Sequence, residues 1–176
     1  MSTVYSFTQK DAYTSKGNIK MPKLENIKYS YDVVEGNATI SLHSIKMSAS
    51  GTVYAIAREF IKIVPDPENE FGTKDIQTRI PETPSPRQIY ACKDWNDEPA
   101  DSCARVVIAN NNEVQLLLKD LKPNAVYAVY YTVANEYPIE PILGKDVGTV
   151  EVRVLGGFRM LASALLLVII SLLYVI

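Results

Sequence analysis

The chain predicts an all-β fold, a sandwich of about seven strands followed by a C-terminal hydrophobic helix, and three observations carry that expectation. Eleven tyrosines against four phenylalanines, among many Val and Ile, favour extended backbone. Short segments of alternating apolar and polar residues recur between clusters of turn-forming residues, the punctuation of a sandwich. The last seventeen residues, Met160–Ile176, carry no charge and are interrupted only by Ser163 and Ser171. As a helix they would rise about 25 Å, close to the apolar thickness of a bilayer.

Taken in order, residues 1–25 read as an N-terminal extension or a linker from an upstream domain, with Thr3–Thr8 as the end of a preceding strand. They lack the apolar stretch of a secretory leader, so the chain is expected to be the C-terminal part of a larger protein. Residues 26–155 form the predicted domain. Ile27–Val33 and Asn37–Ile45 alternate as half-buried strands do. Ser48–Gly51 marks a turn, and Thr52–Ala57 is a strand that can extend through Phe60–Val64. Pro65–Pro86 carries five prolines and is too proline-rich for a central strand. Ser85 suits a helix N-cap with Pro86 at the first helical position, so Ser85–Ala91 starts a short helix. Ala104–Ala109, Glu113–Leu118, Val126–Val133 and Val147–Val154 complete the strands, with a turn at Asn110–Asn112 and a loop at Asn135–Pro141.

Composition narrows the function. A net charge of −2 offers nothing for nucleic acid. One His and two Cys fall short of the four ligands of a structural zinc site. His43 lies on the polar face of its strand with no nucleophile elbow to serve, and no glycine-rich phosphate loop occurs. The expectation is therefore no catalytic residue, no cofactor and no metal. Asp94, Asn96, Asp97, Glu98 and Asp101 crowd one loop, but their spacing fails the EF-hand pattern and reads as a solvated acidic loop. Trp95 in the same loop either anchors a partner or packs beneath the neighbouring cysteines.

Leu121-Lys-Pro-Asn-Ala-Val-Tyr127 followed by Ala128–Val133 resembles the E–F corner of fibronectin type III domains. That resemblance implies an immunoglobulin-like sandwich. Leu121 would plug the end of the core, Pro123 would turn the chain, and the Tyr127 hydroxyl would return to upstream backbone. Val129, Tyr131 and Val133 share the parity of Tyr127 and should face the core. A narrower resemblance covers Pro84–Pro99, where "P-S-x-x-Q-I", a small residue, a spacer and Asp are similar to fibronectin type III-like ectodomains of large microbial and protist surface proteins. Asn135–Pro138 is also similar to that group. Cys92 stands where the small residue is often found, and the Trp usual in an early strand is missing.

Three features bear on which side of a membrane the domain faces. Asn37-Ala-Thr39 is an N-glycosylation sequon. Cys92 and Cys103 enclose a ten-residue loop that a disulfide could close, or they are free thiols in a reducing cytosol. Arg153 and Arg159 precede the tail, which by the positive-inside rule argues for a cytosolic domain. Residues 158–176 are read as a transmembrane helix or a GPI-attachment signal. For the latter, the polar spacer would place cleavage in Asp146–Val150, inside the last strand, while Gly156-Gly157 leaves almost no spacer. The expected function is a membrane-proximal, non-catalytic extracellular adhesion or spacer module. Its partners would be membrane lipid, through the tail, and other protein domains or a surface ligand. The alternative is a cytosol-facing, tail-anchored adaptor.

Overall fold

The structure is a computed structural model and describes residues 24–25, 27–47, 50–69, 72–109, 113–135 and 141–156. The expected terminal helix, residues 1–23, the Asn110–Asn112 turn and most of the Asn135–Pro141 loop lie outside them. Two antiparallel sheets make up the fold. In the first, β2 (Lys28–Val34) pairs with β3 (Asn37–Met47), which also takes β7 (Val114–Leu121) and, at its far end, β1 (Leu24–Glu25). The second is built on β4 (Gly51–Pro65) and β8 (Ala125–Asn135), flanked by β10 (Gly148–Val154) beyond β8. Strands β5 (Thr73–Gln77) and β6 (Ser102–Ile108) pair with opposite halves of β4, and β9 (Ile142–Leu143) pairs with the end of β8.

Local chemistry explains the joints. Glu35 and Gly36 both have positive φ, 50° and 82°, giving the β2–β3 hairpin a two-residue turn whose twist matches its strands. The Thr52–Ala57 and Phe60–Val64 segments are one continuous strand, interrupted on its β8 side by a register shift between Glu59 and Ile61. The proline-rich stretch contains β5, which among the described residues pairs with β4 alone and so lies at a sheet margin, where a strand between prolines is tolerated.

Alternation sorts the inner core. Ala38, Ile40 and Leu42 of β3 and Leu116, Leu118 and Leu121 of β7 meet Val53, Ala55 and Ala57 of β4. Tyr127 and Val129 of β8 and Val152 and Val154 of β10 join them. Each Leu or Ile so buried contributes about 1.5–3 kcal/mol. Tyr131 and Val133 reach the same core but are only partly buried.

The opposite faces of β4 and β8 are buried as well. Tyr54, Ile56 and Phe60 pack with Val126, Ala128 and Tyr130 in a second apolar cluster, covered by α1 (Pro86–Tyr90) and the cysteine loop. The domain therefore has a third, partial layer outside its second sheet.

Candidate functional site

The outer layer is assembled on one charged residue. Arg58 follows Tyr54 and Ile56 on the outward parity of β4, so its side chain enters the space beneath the cysteine loop, where it is only 8% exposed. Three carboxylates converge on it. Nε lies 2.8 Å from Oδ2 of Asp94, which is fully shielded from solvent. The contact is an ion pair without an aligned hydrogen bond. Nη2 donates to Glu98 Oε2 at 2.6 Å, and Nη1 donates to Asp101 Oδ1 and to the Pro99 carbonyl, both at 3.0 Å. Arg79 Nη1 lies 3.8 Å from the same Glu98 oxygen.

The loop is wound to deliver these groups. Asp94 Oδ1 accepts from the amides of Asn96 and Glu98, fixing a tight turn that Asp97 completes at φ 61°. Asp101 Oδ2 accepts from the Glu59 amide at the irregularity in β4. The acidic loop is thus not simply solvated: Asp94 is buried, and Glu98 and Asp101 pair with a buried guanidinium while remaining exposed, as Asn96 and Asp97 are. Among the described residues no three His, Cys, Asp or Glu side chains are grouped to hold a metal ion.

The helix is clamped at both ends. Ser85 and Gln88 form a reciprocal capping box, with Pro86 in the first turn. Ile89 is fully buried in the outer cluster. Gln88 also donates to the Trp95 carbonyl and to Asp97, joining helix to loop. At the C-terminal end, Cys92 and Lys93 donate to the carbonyls of Ile89 and Gln88, a Schellman arrangement that puts Cys92 at the left-handed position, φ 59°. The small residue expected there by resemblance suits this backbone because glycine adopts it without strain. Cys92 is joined to Cys103 on β6 by a disulfide, with Cα atoms 5.5 Å apart, and both cysteines are exposed.

Trp95 is half-buried and packs edge-on against Tyr130, ring centroids 6.0 Å apart, so it roofs the outer cluster. Burial, assisted by the charges of Glu151 and Asp94, pushes the Tyr130 hydroxyl up to about 12. At the corner between β7 and β8, Tyr127 Oη accepts from the Lys122 amide at 2.8 Å and donates to the Lys122 carbonyl at 3.0 Å, with Leu121 buried alongside. Burial raises its pKa. Pro123 is half-exposed beside Asn124, whose side chain accepts from the Gly156 amide.

Comparison with family models, curated proteins and solved structures gave no match. The functional reading rests on geometry. Asn37 is exposed at the first position of β3, directly after the tight turn. His43 is partly buried on the outer face of the first sheet and is hydrogen-bonded to Ser30. Arg153 forms a two-pronged ion pair with Asp75, at 2.7 and 2.8 Å, which binds β10 to β5. Arg159 lies outside the described residues. Among those residues no helix is long and apolar enough to cross a membrane, and Met160–Ile176 is not among them.

Sequence reasoning missed Arg58. Its signal was a basic residue at the parity of Tyr54 and Ile56 inside an otherwise apolar run. On the surface of the outer layer, a shallow basin of about 360 Å³ is lined by Ser85, Arg87, Gln88, Ala91, Lys93 and Asp97, charges of both signs among them.

Proposed function

We propose that residues 26–155 are a fibronectin type III-like, membrane-proximal spacer or adhesion module, facing the outside of the cell and held there by residues 158–176. One observation carries the reading: the Cys92–Cys103 disulfide secures the loop that brings Asp94, Glu98 and Asp101 to Arg58. Such a bond persists in oxidising compartments and is rare in a reducing cytosol. Asn37 of the sequon is exposed beside the β2–β3 turn, which supports a domain that carries an oligosaccharide on the outside of the cell. The Tyr127 contact with Lys122 supports the type III likeness, since that corner is a hallmark of such sandwiches. The outer layer, with Arg87, Lys93, Asn96 and Asp97 at its surface, is the proposed contact region for other domains or a surface ligand.

The deciding experiment is peptide mapping of the membrane-bound protein without reduction. A Cys92–Cys103 linked peptide together with a glycan on Asn37 is the expected result. Two free thiols and an unmodified Asn37 would instead put the domain in the cytosol as a tail-anchored adaptor.

A further inference from the structure

Strand β2 has an open side. Among the described residues it pairs with β3 alone, and it contains neither proline nor bulge. A long unpaired edge of this kind is a template for another strand. Its side chains are also unfinished. Tyr29 and Tyr31 share the inner-face parity of their partners Leu42 and Ile40, yet they remain 48% and 39% exposed.

The backbone fixes which groups are on offer. In a two-residue hairpin the residues closing the turn, Val34 and Asn37, exchange hydrogen bonds, and that pattern repeats at every second residue. Asp32, Ser30 and Lys28 therefore direct their amide and carbonyl groups toward β3. Tyr29, Tyr31 and Val33 direct theirs outward. The Val33 amide is met by Asp32 Oδ1 at 2.9 Å, leaving Tyr29 and Tyr31 at the middle of the edge.

We propose that this edge docks along β2 of a second copy of the chain, antiparallel and two-fold symmetric about Ser30. The register follows from the sequence Lys28-Tyr-Ser-Tyr-Asp32, which reads as its own complement. With Ser30 opposite Ser30, each Lys28 faces the other copy's Asp32, and each Tyr29 faces the other copy's Tyr31. The outward-directed tyrosine backbones then form the hydrogen-bonded pairs, and Ser30 falls at the non-bonded position on the axis. Two ion pairs lie on the outer face and four tyrosine rings on the inner one. Lys28 and Asp32 stand about 13 Å apart along their own strand, so the pairing is available only between copies. A symmetric contact of this type uses the same patch twice, as isologous dimers do.

The test uses the full chain reconstituted in phosphatidylcholine vesicles. In Ser30→Cys the two new thiols would sit about 4.5 Å apart at Cα, within disulfide range. Copper phenanthroline, the oxidant, removes two electrons and two protons from the thiol pair to form the bond. We expect a covalent dimer on non-reducing gels from Ser30→Cys, but not from Ser41→Cys on the outer face of β3. Adding Lys28→Glu or Asp32→Lys should lower the dimer yield several-fold, and the two together should restore it. Absence of a Ser30→Cys dimer, equal linking through Ser41→Cys, or charge reversals that leave the yield unchanged would each overturn the proposal.

Discussion

Arg58 and Asp94 form an ion pair shut away from water, the arginine nine-tenths buried and the aspartate wholly so. Removing Arg58 leaves the buried Asp94 carboxylate without its counter-charge, and Arg58→Ala should therefore destabilise the domain by about 3–5 kcal/mol. Asp94→Ala should cost less, because Arg58 keeps Glu98 and Asp101. Replacing both with apolar residues of similar size should cost much less than the sum. Urea unfolding of the two single variants and the double variant measures the coupling; additive losses would show that the pair is not energetically linked.

Tyr127 bonds both backbone polar groups of Lys122, its amide and its carbonyl. Tyr127→Phe keeps the ring in the inner core and deletes only the hydroxyl. A loss of about 1–3 kcal/mol is expected from the two backbone groups left without a partner. An unchanged denaturation midpoint would mean that water satisfies them.

The disulfide and the helix terminus act on one residue, and they can be separated. Cys92→Ser with Cys103→Ser should cost about 2–3 kcal/mol through the freed unfolded chain. Cys92→Gly with Cys103→Ser loses the same bond but relieves the left-handed backbone at φ 59°. It should recover about 1 kcal/mol of that loss. Equal midpoints for the two double variants would remove backbone strain from the account.

Gly148 lies beneath the ring of Tyr131, which an added Cβ would meet at 2.1 Å. Gly148→Ala should destabilise the β8–β10 pairing by about 1–3 kcal/mol. Tyr131→Ser in the same chain should rescue part of it. Failure of the second change to help would mean that backbone geometry, not the ring, excludes a side chain.

Alkaline titration has a defined sign. Tyr130 ionises in the folded domain at about 12 rather than 10, so folding favours its protonated form. That contribution is fully present below about pH 10 and is lost as the pH rises through about 12. Tyr127 and Tyr131 shift in the same direction, both because of burial. The part of the phenolate absorbance that Tyr130→Phe removes should appear together with the loss of near-ultraviolet circular dichroism; its appearance near pH 10 in the folded domain would contradict the burial.

Much of the architecture was legible because its signals are local. The Ser85 cap with Pro86, the strand at Asn37–Ile45 and the Leu121–Tyr127 corner depend on neighbours within a few residues, and each is found in place. Alternation along β8 correctly assigned Tyr127 and Val129 to the inner core. It could not show that Val126, Ala128 and Tyr130 are covered on the other face, because the covering segment is supplied by distant sequence. The same non-local packing hid Arg58 and turned Asp94 from a presumed solvated acid into a buried one. β5 was obscured by the prolines around it.

The outer layer departs from the second sheet and returns to it at nearly one place. Thr78 donates its amide to Phe60, and Asp101 donates to Ala57, only three positions away on β4. Its underside, Ile89, Asp94 and Trp95, is committed to the cluster below, while Arg87, Lys93, Asn96 and Asp97 face outward. Selection can therefore rewrite, lengthen or shorten the upper surface without altering the spacing of any strand. The excursion is a natural site for diversification, and a practical one for grafting a foreign epitope.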